Sequence, residues 1–420
     1  MQNKFNLGKF SFGIGDRFAH QAQAQLQAII DAKKKGVDIT PVWNKSFREH
    51  QTIGSDPSET RYRADEAVQM LKWDGAYFAD ADHINLKTVD FFIDSCDFYT
   101  IDVADYIGKP AEPDSIQNFS KKYNKYAGSL VLPGLNQSIE ISEDAIKNIA
   151  EKYLYAVQQA GEIYRHIKEK KAGKPFVAEV SMDETDEPQM PAEMFFILAA
   201  LADEKIALST IAPKFSGRFN KGVDYVGDLT QFEQEFEQDV AAVNLAVKEF
   251  GFDENLKLSV HSGSDKFSIY PIIKKIIRKH NAGLHIKTAG TTWLEELIGL
   301  AEAGGPGLAI AKEVYRKSLD NFDKLCAPYA TVIDIDKSRL PTSDEVDQWD
   351  SIKYVTTLRH DQNNKNYNLH FRQLLHVGYK VAAEMGTVYL SALKENKKII
   401  AKNVTQNIFE RHISPLFIGD

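Results

Sequence analysis

The chain has 420 residues, 43% of them hydrophobic, and its 51 basic and 59 acidic side chains leave a formal net charge of -8. That length buries a sizeable core in one large or two ordinary domains, no run approaches the ~18 apolar residues of a membrane span, and an acidic balance argues against nucleic acid or an anionic membrane as partner. Two cysteines, Cys96 and Cys326, cannot build a disulfide framework, and the opening MQNKFNLGKF lacks the apolar core of a secretion signal, so a reducing cytoplasm is the expected setting.

In chain order, eight short β-rich runs bounded by Gly, Pro or polar clusters read as strands: residues 10–15, 40–44, 76–82, 98–103, 176–183, 207–215, 256–262 and 283–288. Helix-like stretches lie between most of them, at 19–35, 59–73, 144–171, 191–203, 229–250 and 266–280. This alternation predicts an α/β fold, a (β/α)8 TIM-type barrel whose active site is built from the carboxyl ends of the strands. A doubly wound open sheet is the rival architecture. Its phosphate fingerprint is missing, because Gly13-Ile14-Gly15-Asp16 lacks the third glycine and reads as a tight turn leaving the first strand. After Thr291 the pattern is mostly helical, at 292–303, 311–322, 370–385, 389–395 and 404–411. The expected division is a catalytic barrel over 1–340 and a helical extension over 341–420, with its boundary near Leu340-Pro341-Thr342-Ser343. The extension would cap the barrel or join two copies of the chain as a homo-oligomer.

Four segments carry polar residues where a buried parallel strand should be apolar: ADADH (79–83), FVAEVSMDE (176–184), LKLSVHSGSDK (256–266) and GLHIKTAG (283–290). Successive side chains of a strand face opposite ways. Glu179, Ser181 and Asp183 therefore oppose Ala178, Val180 and Met182; Lys257, Ser259 and His261 oppose Leu258 and Val260; His285 and Lys287 oppose Leu284 and Ile286. Each of these strands runs into a helix-like stretch, so both faces are covered and the polar faces are predicted to meet inside the barrel.

Three histidines lie at or just beyond strand ends, namely His83, His261 and His285. Imidazole is the usual ligand of zinc and related ions, and catalytic sites use three protein ligands with one position open. The bland alternative is three hydrogen-bonded core histidines. On a regular strand His83 would point away from Asp80 and Asp82; a strand ending at Asp82 would free it. Asp82 and Glu179 are the acid and base candidates. Asp80 and Asp183 read as partners of Lys257 or Lys287 inside the barrel, with Asp183 also placed to touch substrate. Arg17, Lys214, Arg218, Lys221, Lys266 and Lys287 supply anion-binding groups near strand ends, Lys221 and Lys266 being framed by glycine-containing turns. A substrate carboxylate or phosphate would account for them. The remaining histidines, His376 among them, read as structural.

Together GIGDRF, ADADH, TIDVADY, VAEVSMDETDEP, NKGVDYVGDL, LSVHSGSDKFSIYP, LHIKTAGTTWLE and HFRQLLHVGY resemble the tagaturonate epimerase family over most of the chain. Some members carry a long amino-terminal extension before the GDR turn, which here lies a dozen residues in. The resemblance implies a metal-dependent enzyme interconverting D-tagaturonate and D-fructuronate in hexuronate breakdown. It points to Asp82 as proton acceptor, Glu179 as its partner, His83, His261 and His285 on a divalent ion (zinc, manganese, cobalt or nickel), and Lys221 near the substrate. A metal-dependent sugar isomerase or class II type aldolase would use the same strand ends, and a non-catalytic carbohydrate-binding protein is the alternative of a different class.

Overall fold

Eight parallel strands close into a barrel in this computed structural model, which describes residues 5–135, 138–288 and 290–419. They are β1 (Phe10–Gly15), β2 (Thr40–Ser46), β3 (Phe78–Ile84), β4 (Phe98–Asp102), β7 (Val177–Ser181), β8 (Leu208–Ala212), β9 (Lys257–His261) and β10 (Leu284–Lys287), while β5 (Gly128–Val131) and β6 (Ser138–Ile141) form a separate antiparallel hairpin. β1 pairs with both β2 and β10, which closes the ring. All eight predicted strands are present, with ends displaced by three residues or fewer. The predicted (β/α)8 architecture is therefore the one observed.

The alternation of each strand partitions it between two interiors. Phe12, Ile14, Tyr99, Val180, Leu258 and Ile286 point outward into the main core shared with the helices. Val42, Phe78, Phe98 and Val177 point inward and, with Leu7, form a separate apolar plug at the amino end of the barrel. Each such side chain gains roughly 1.5–3 kcal/mol by leaving water. Two residues further along the same faces stand Asn44, Asp80, Thr100 and Glu179, all buried, and there the barrel lumen turns polar. Helices on the outside exclude water from below and around, so these groups can only pair with one another or face the mouth.

Several helices depart from the sequence pattern for identifiable reasons. The helix Phe47–Ile53 starts directly at the end of β2 because Ser46 and Glu49 form a capping box. The helix Gly305–Asp320 begins six residues before its predicted start, since Pro306 falls in the first turn, where it has no hydrogen bond to lose. The predicted helix 370–385 is two, Leu369–Val377 and Tyr379–Glu384, broken at Gly378. No helix among the described residues is long and apolar enough to cross a membrane.

One buried carboxylate gathers three residues of the carboxyl-terminal region onto the barrel. Asp265, in the loop after β9, accepts a hydrogen bond from Arg372 Nη2 at 2.7 Å and lies 3.1 Å from His360 Nδ1 and 3.2 Å from His412 Nε2. All four side chains are almost wholly inaccessible. A π-helical turn at Asn407–Ile413 carries His412, whose other ring nitrogen is 2.6 Å from Tyr270 Oη. Burial raises the cost of the Asp265 charge, but Arg372, His360 and His412 outweigh it and hold its pKa well below the usual carboxylate range.

Candidate active site at the carboxyl mouth of the barrel

His83 reaches the mouth by a device that strict alternation does not provide. β3 does not end at Asp82, as the sequence reading supposed; its register against β4 slips between Ala81 and Ile84, and His83 adopts φ 51°. A bulge with one left-handed residue re-aims a side chain that would otherwise point into the helical layer. Such a conformation in a non-glycine residue costs of order 1 kcal/mol, and it is found where function requires it. Its ring stands 5.1 Å from that of His261, nearly perpendicular at 85°.

His83, His261 and Asp183 each offer one ligand atom within 4.8 Å of the other two. His261 Nδ1 is 3.1 Å from Asp183 Oδ2, yet the buried nitrogen makes no hydrogen bond of proper geometry. The other nitrogen, Nε2, lies 2.8 Å from Glu179 Oε1, which turns Nδ1 toward Asp183. His83 is oriented in the same manner, its Nδ1 3.3 Å from Asp102 Oδ2. Asp183 is steadied by Ser181 Oγ, which donates to it at 2.5 Å. Two imidazoles each backed by a carboxylate, plus a third carboxylate, form the donor set that zinc, manganese, cobalt and nickel accept. The residues thus fit a divalent ion, with Asp183 where His285 was expected.

Beneath this trio lies a single cation among three carboxylates. Lys287 Nζ is 2.8 Å from Asp80 Oδ2, 2.9 Å from Asp82 Oδ1 and 3.0 Å from Glu179 Oε1, and it also donates to Thr100 Oγ1. Gly13 makes this placement feasible, because a Cβ there would press on the Lys287 side chain at 2.7 Å. Burial pushes Asp80 up, to about 7, against the pull of Lys287. Asp82 meets the same burial, but Lys287, His83 and His261 outweigh it and hold its pKa low. Glu179 is likewise driven well below its ordinary value by Lys287 and His261, despite complete burial, and Thr210 Oγ1 donates to its second oxygen at 2.6 Å. Burial pulls His261 down while Asp183 and Glu179 more than compensate, raising it to about 9; His83 is raised by Asp82 and Asp102 in the same way. The mouth is an acidic field gathered around two imidazoles.

Other sequence candidates divide by height in the barrel and by partner. His285 lies a layer below the trio: its Nδ1 is 2.8 Å from Ser11 Oγ, its ring is 5.4 Å from that of Phe98, and burial pushes its pKa down to about 3. It sits inside the barrel on β10, two residues short of Lys287, and does not join the converging ligand atoms. Lys257 is at the opposite end, donating to the Gly8 carbonyl, so among the described residues Lys287 is the carboxylates' one ammonium partner. Lys266 was expected to touch substrate, but it is fully buried and donates to the carbonyls of Asn220 and Val223 at 2.9 and 2.7 Å. Lys287, expected in the same role, is committed to the carboxylates. Arg17 Nε donates to Glu49 Oε1 at 3.0 Å, and Lys221 remains partly exposed at the mouth. Asp102 was missed; its place at the end of β4, two residues after inward-facing Thr100, was the available signal.

The sequence model of the family UxaE, tagaturonate epimerase, matches residues 2–416. A tagaturonate/fructuronate epimerase from Thermotoga maritima is 28% identical over 421 residues, covering 97% of this chain and 80% of that one. Two crystal structures of fructuronate-tagaturonate epimerase UxaE from Cohnella laeviribosi share the fold. The one with two glycerols bound gives a TM-score of 0.80 at 24% identity, covering 99% of this chain and 83% of the other. The native one gives 0.77 at 23% identity, covering 98% and 82%.

Proposed function

The chain belongs to the tagaturonate epimerase family, whose members are isomerases, and on that premise we propose that it interconverts D-tagaturonate and D-fructuronate with a divalent ion held by His83, His261 and Asp183. The observation that carries this reading is the convergence of those three side chains beside Asp82, itself paired with Lys287, at the end of the barrel where such enzymes place their chemistry. The acidic field that holds the two imidazoles' pKa up is also one that attracts a cation.

The substrates differ at a carbinol carbon one bond beyond the carbon that the ketone acidifies, so direct removal of that C–H proton is disfavoured. We propose a reversible aldol cleavage instead. Asp82, kept as a carboxylate by Lys287, takes the proton of the hydroxyl on the epimerised carbon. The bond between that carbon and the one next to the ketone breaks, its electron pair passing to the ketone-bearing fragment while the hydroxyl carbon becomes an aldehyde. The aldehyde turns, presents its other face, the bond re-forms, and Asp82 returns the proton. A bound divalent ion supplies Lewis-acid stabilisation of the oxyanion that cleavage leaves. Glu179, 0% exposed and saturated with donors, serves as a positioning residue that acts through His261.

Purified protein is expected to interconvert the two ketouronates, to lose turnover on chelation and to regain it with one of zinc, manganese, cobalt or nickel. Turnover that survives exhaustive chelation, or that needs added nicotinamide, would sink the mechanism; absence of either epimer as product would sink the activity. Glu179→Gln keeps the shape but offers an amide where His261 finds a carboxylate, and is expected to weaken metal affinity about 10- to 100-fold, read by competition with a chromogenic chelator.

A further inference from the structure

Loops leaving β1, β8 and β10 meet at the amino end of the 13-residue helix Thr291–Ala303. The helix is capped by Gly290 at φ 89°, with no side-chain cap and no acidic residue in its first turn. His376, only 2% exposed, aims Nε2 into the space that a side chain at position 290 would need, and that nitrogen has no hydrogen-bond partner among the described residues. Arg17 Nη2 stands 3.2 Å from the same point. Lys221 approaches from the loop after β8: its neighbour Gly222 lies against His376, and its ammonium is 3.5 Å from the Cβ position of Gly263. A buried, unpaired polar nitrogen is costly, about 1–3 kcal/mol, unless a ligand completes it.

We propose that this corner of the mouth is a carboxylate-binding subsite, in which His376 Nε2, Arg17, Lys221 and the first N–H groups of the helix Thr291–Ala303 hold the terminal carboxylate of the ketouronate. It rests on the activity proposed above and names the part of the substrate that activity leaves unplaced. Helix amino ends favour anions, and barrel enzymes often place an anion near the loops after their last strands. The charge balance selects a monoanion. Glu49 already offsets Arg17, Asp265 offsets Arg372, Lys266 is turned away onto two carbonyls, and burial together with Arg17 and Lys221 keeps His376 neutral, so Lys221 is the cation facing this corner with no ion pair among the described residues. In the cleavage step, a grip on the carboxylate retains the aldehyde fragment while its carbonyl turns.

Calorimetric titration of the full-length protein with D-fructuronate and with neutral D-fructose tests this without requiring turnover. His376→Leu is expected to weaken D-fructuronate binding about 10- to 100-fold and leave D-fructose unchanged, with His376→Gln, which restores a donor, recovering most of the loss. Equal effects on both sugars, no effect on either, or failure of the wild type to bind D-fructuronate would overturn the subsite. If the wild type binds in this pattern but turns over neither epimer, the proposed activity falls and the subsite stands. Should His376→Leu fail to fold by circular dichroism, Lys221→Met is read the same way: selective loss of uronate binding supports the subsite and an unchanged preference overturns it.

Discussion

Lys287→Met is expected to destabilise the fold by about 3–5 kcal/mol, measured as a fall in the urea midpoint at neutral pH. Methionine preserves most of the stem that packs on Gly13, so the cost isolates the charge. Three carboxylates surround this one ammonium, with side-chain exposures of 0% for Asp80 and Glu179 and 10% for Asp82. Without it they face each other in the buried lumen with Thr100, Thr210 and His261 as remaining donors. Breaking a buried pair costs more than the pair is worth, because the surviving charges remain desolvated. Adding Asp80→Asn removes one of the three and is expected to restore part of the loss, a coupling that a double-mutant cycle reads directly. A Lys287→Met midpoint equal to wild type would mean that the lumen is wetter than described.

His261→Ala is expected to lower kcat by on the order of 10³ while leaving stability within about 2–3 kcal/mol of wild type. A divalent ion held at this mouth as proposed would supply several kcal/mol of charge stabilisation, and about 4 kcal/mol corresponds to three decades in rate. The variant removes one of the three proposed ligands and leaves Glu179 with Lys287, Thr100 and Thr210 still bonded, which limits the structural damage. Elemental analysis should find metal in wild type and little in the variant. His285→Ala provides the contrast: it lies below the trio on Ser11 and Phe98, so it is expected to retain metal and to lose stability through a cavity instead. Metal retained by His261→Ala and lost from His285→Ala would reverse the ligand assignment.

The site was legible where it depended on alternation. Glu179, His261 and Lys287 fall on inward faces because a strand has period two, and the four polar runs could be found by that rule alone. It was not legible where backbone irregularity or loop geometry decides direction. His83 needs the bulge after Ala81, which no residue type in ADADH announces. Alternation put both Asp183 and His285 on inward faces, but not their heights: Asp183, just past the end of β7, rises to His83 and His261, while His285, on a regular strand, stays low. Lysines framed by glycine turns look alike in one dimension; Lys266 turns inward to two carbonyls and Lys221 stays at the mouth.

By itself, then, the order of residues determined the eight strands, the closed barrel and the end at which polar groups gather, because hydrophobic period and turn chemistry are local properties that each segment carries alone. Only the tertiary structure decided which polar groups share a space: the height of each residue in the lumen, the ammonium of Lys287 among three carboxylates, and His376 Nε2, unpaired among the described residues, beside a helix end supplied by residues more than eighty positions away. Those pairings are set by the stagger of neighbouring strands and by loops closing over them, and distance between segments remote in sequence has no signature in either one.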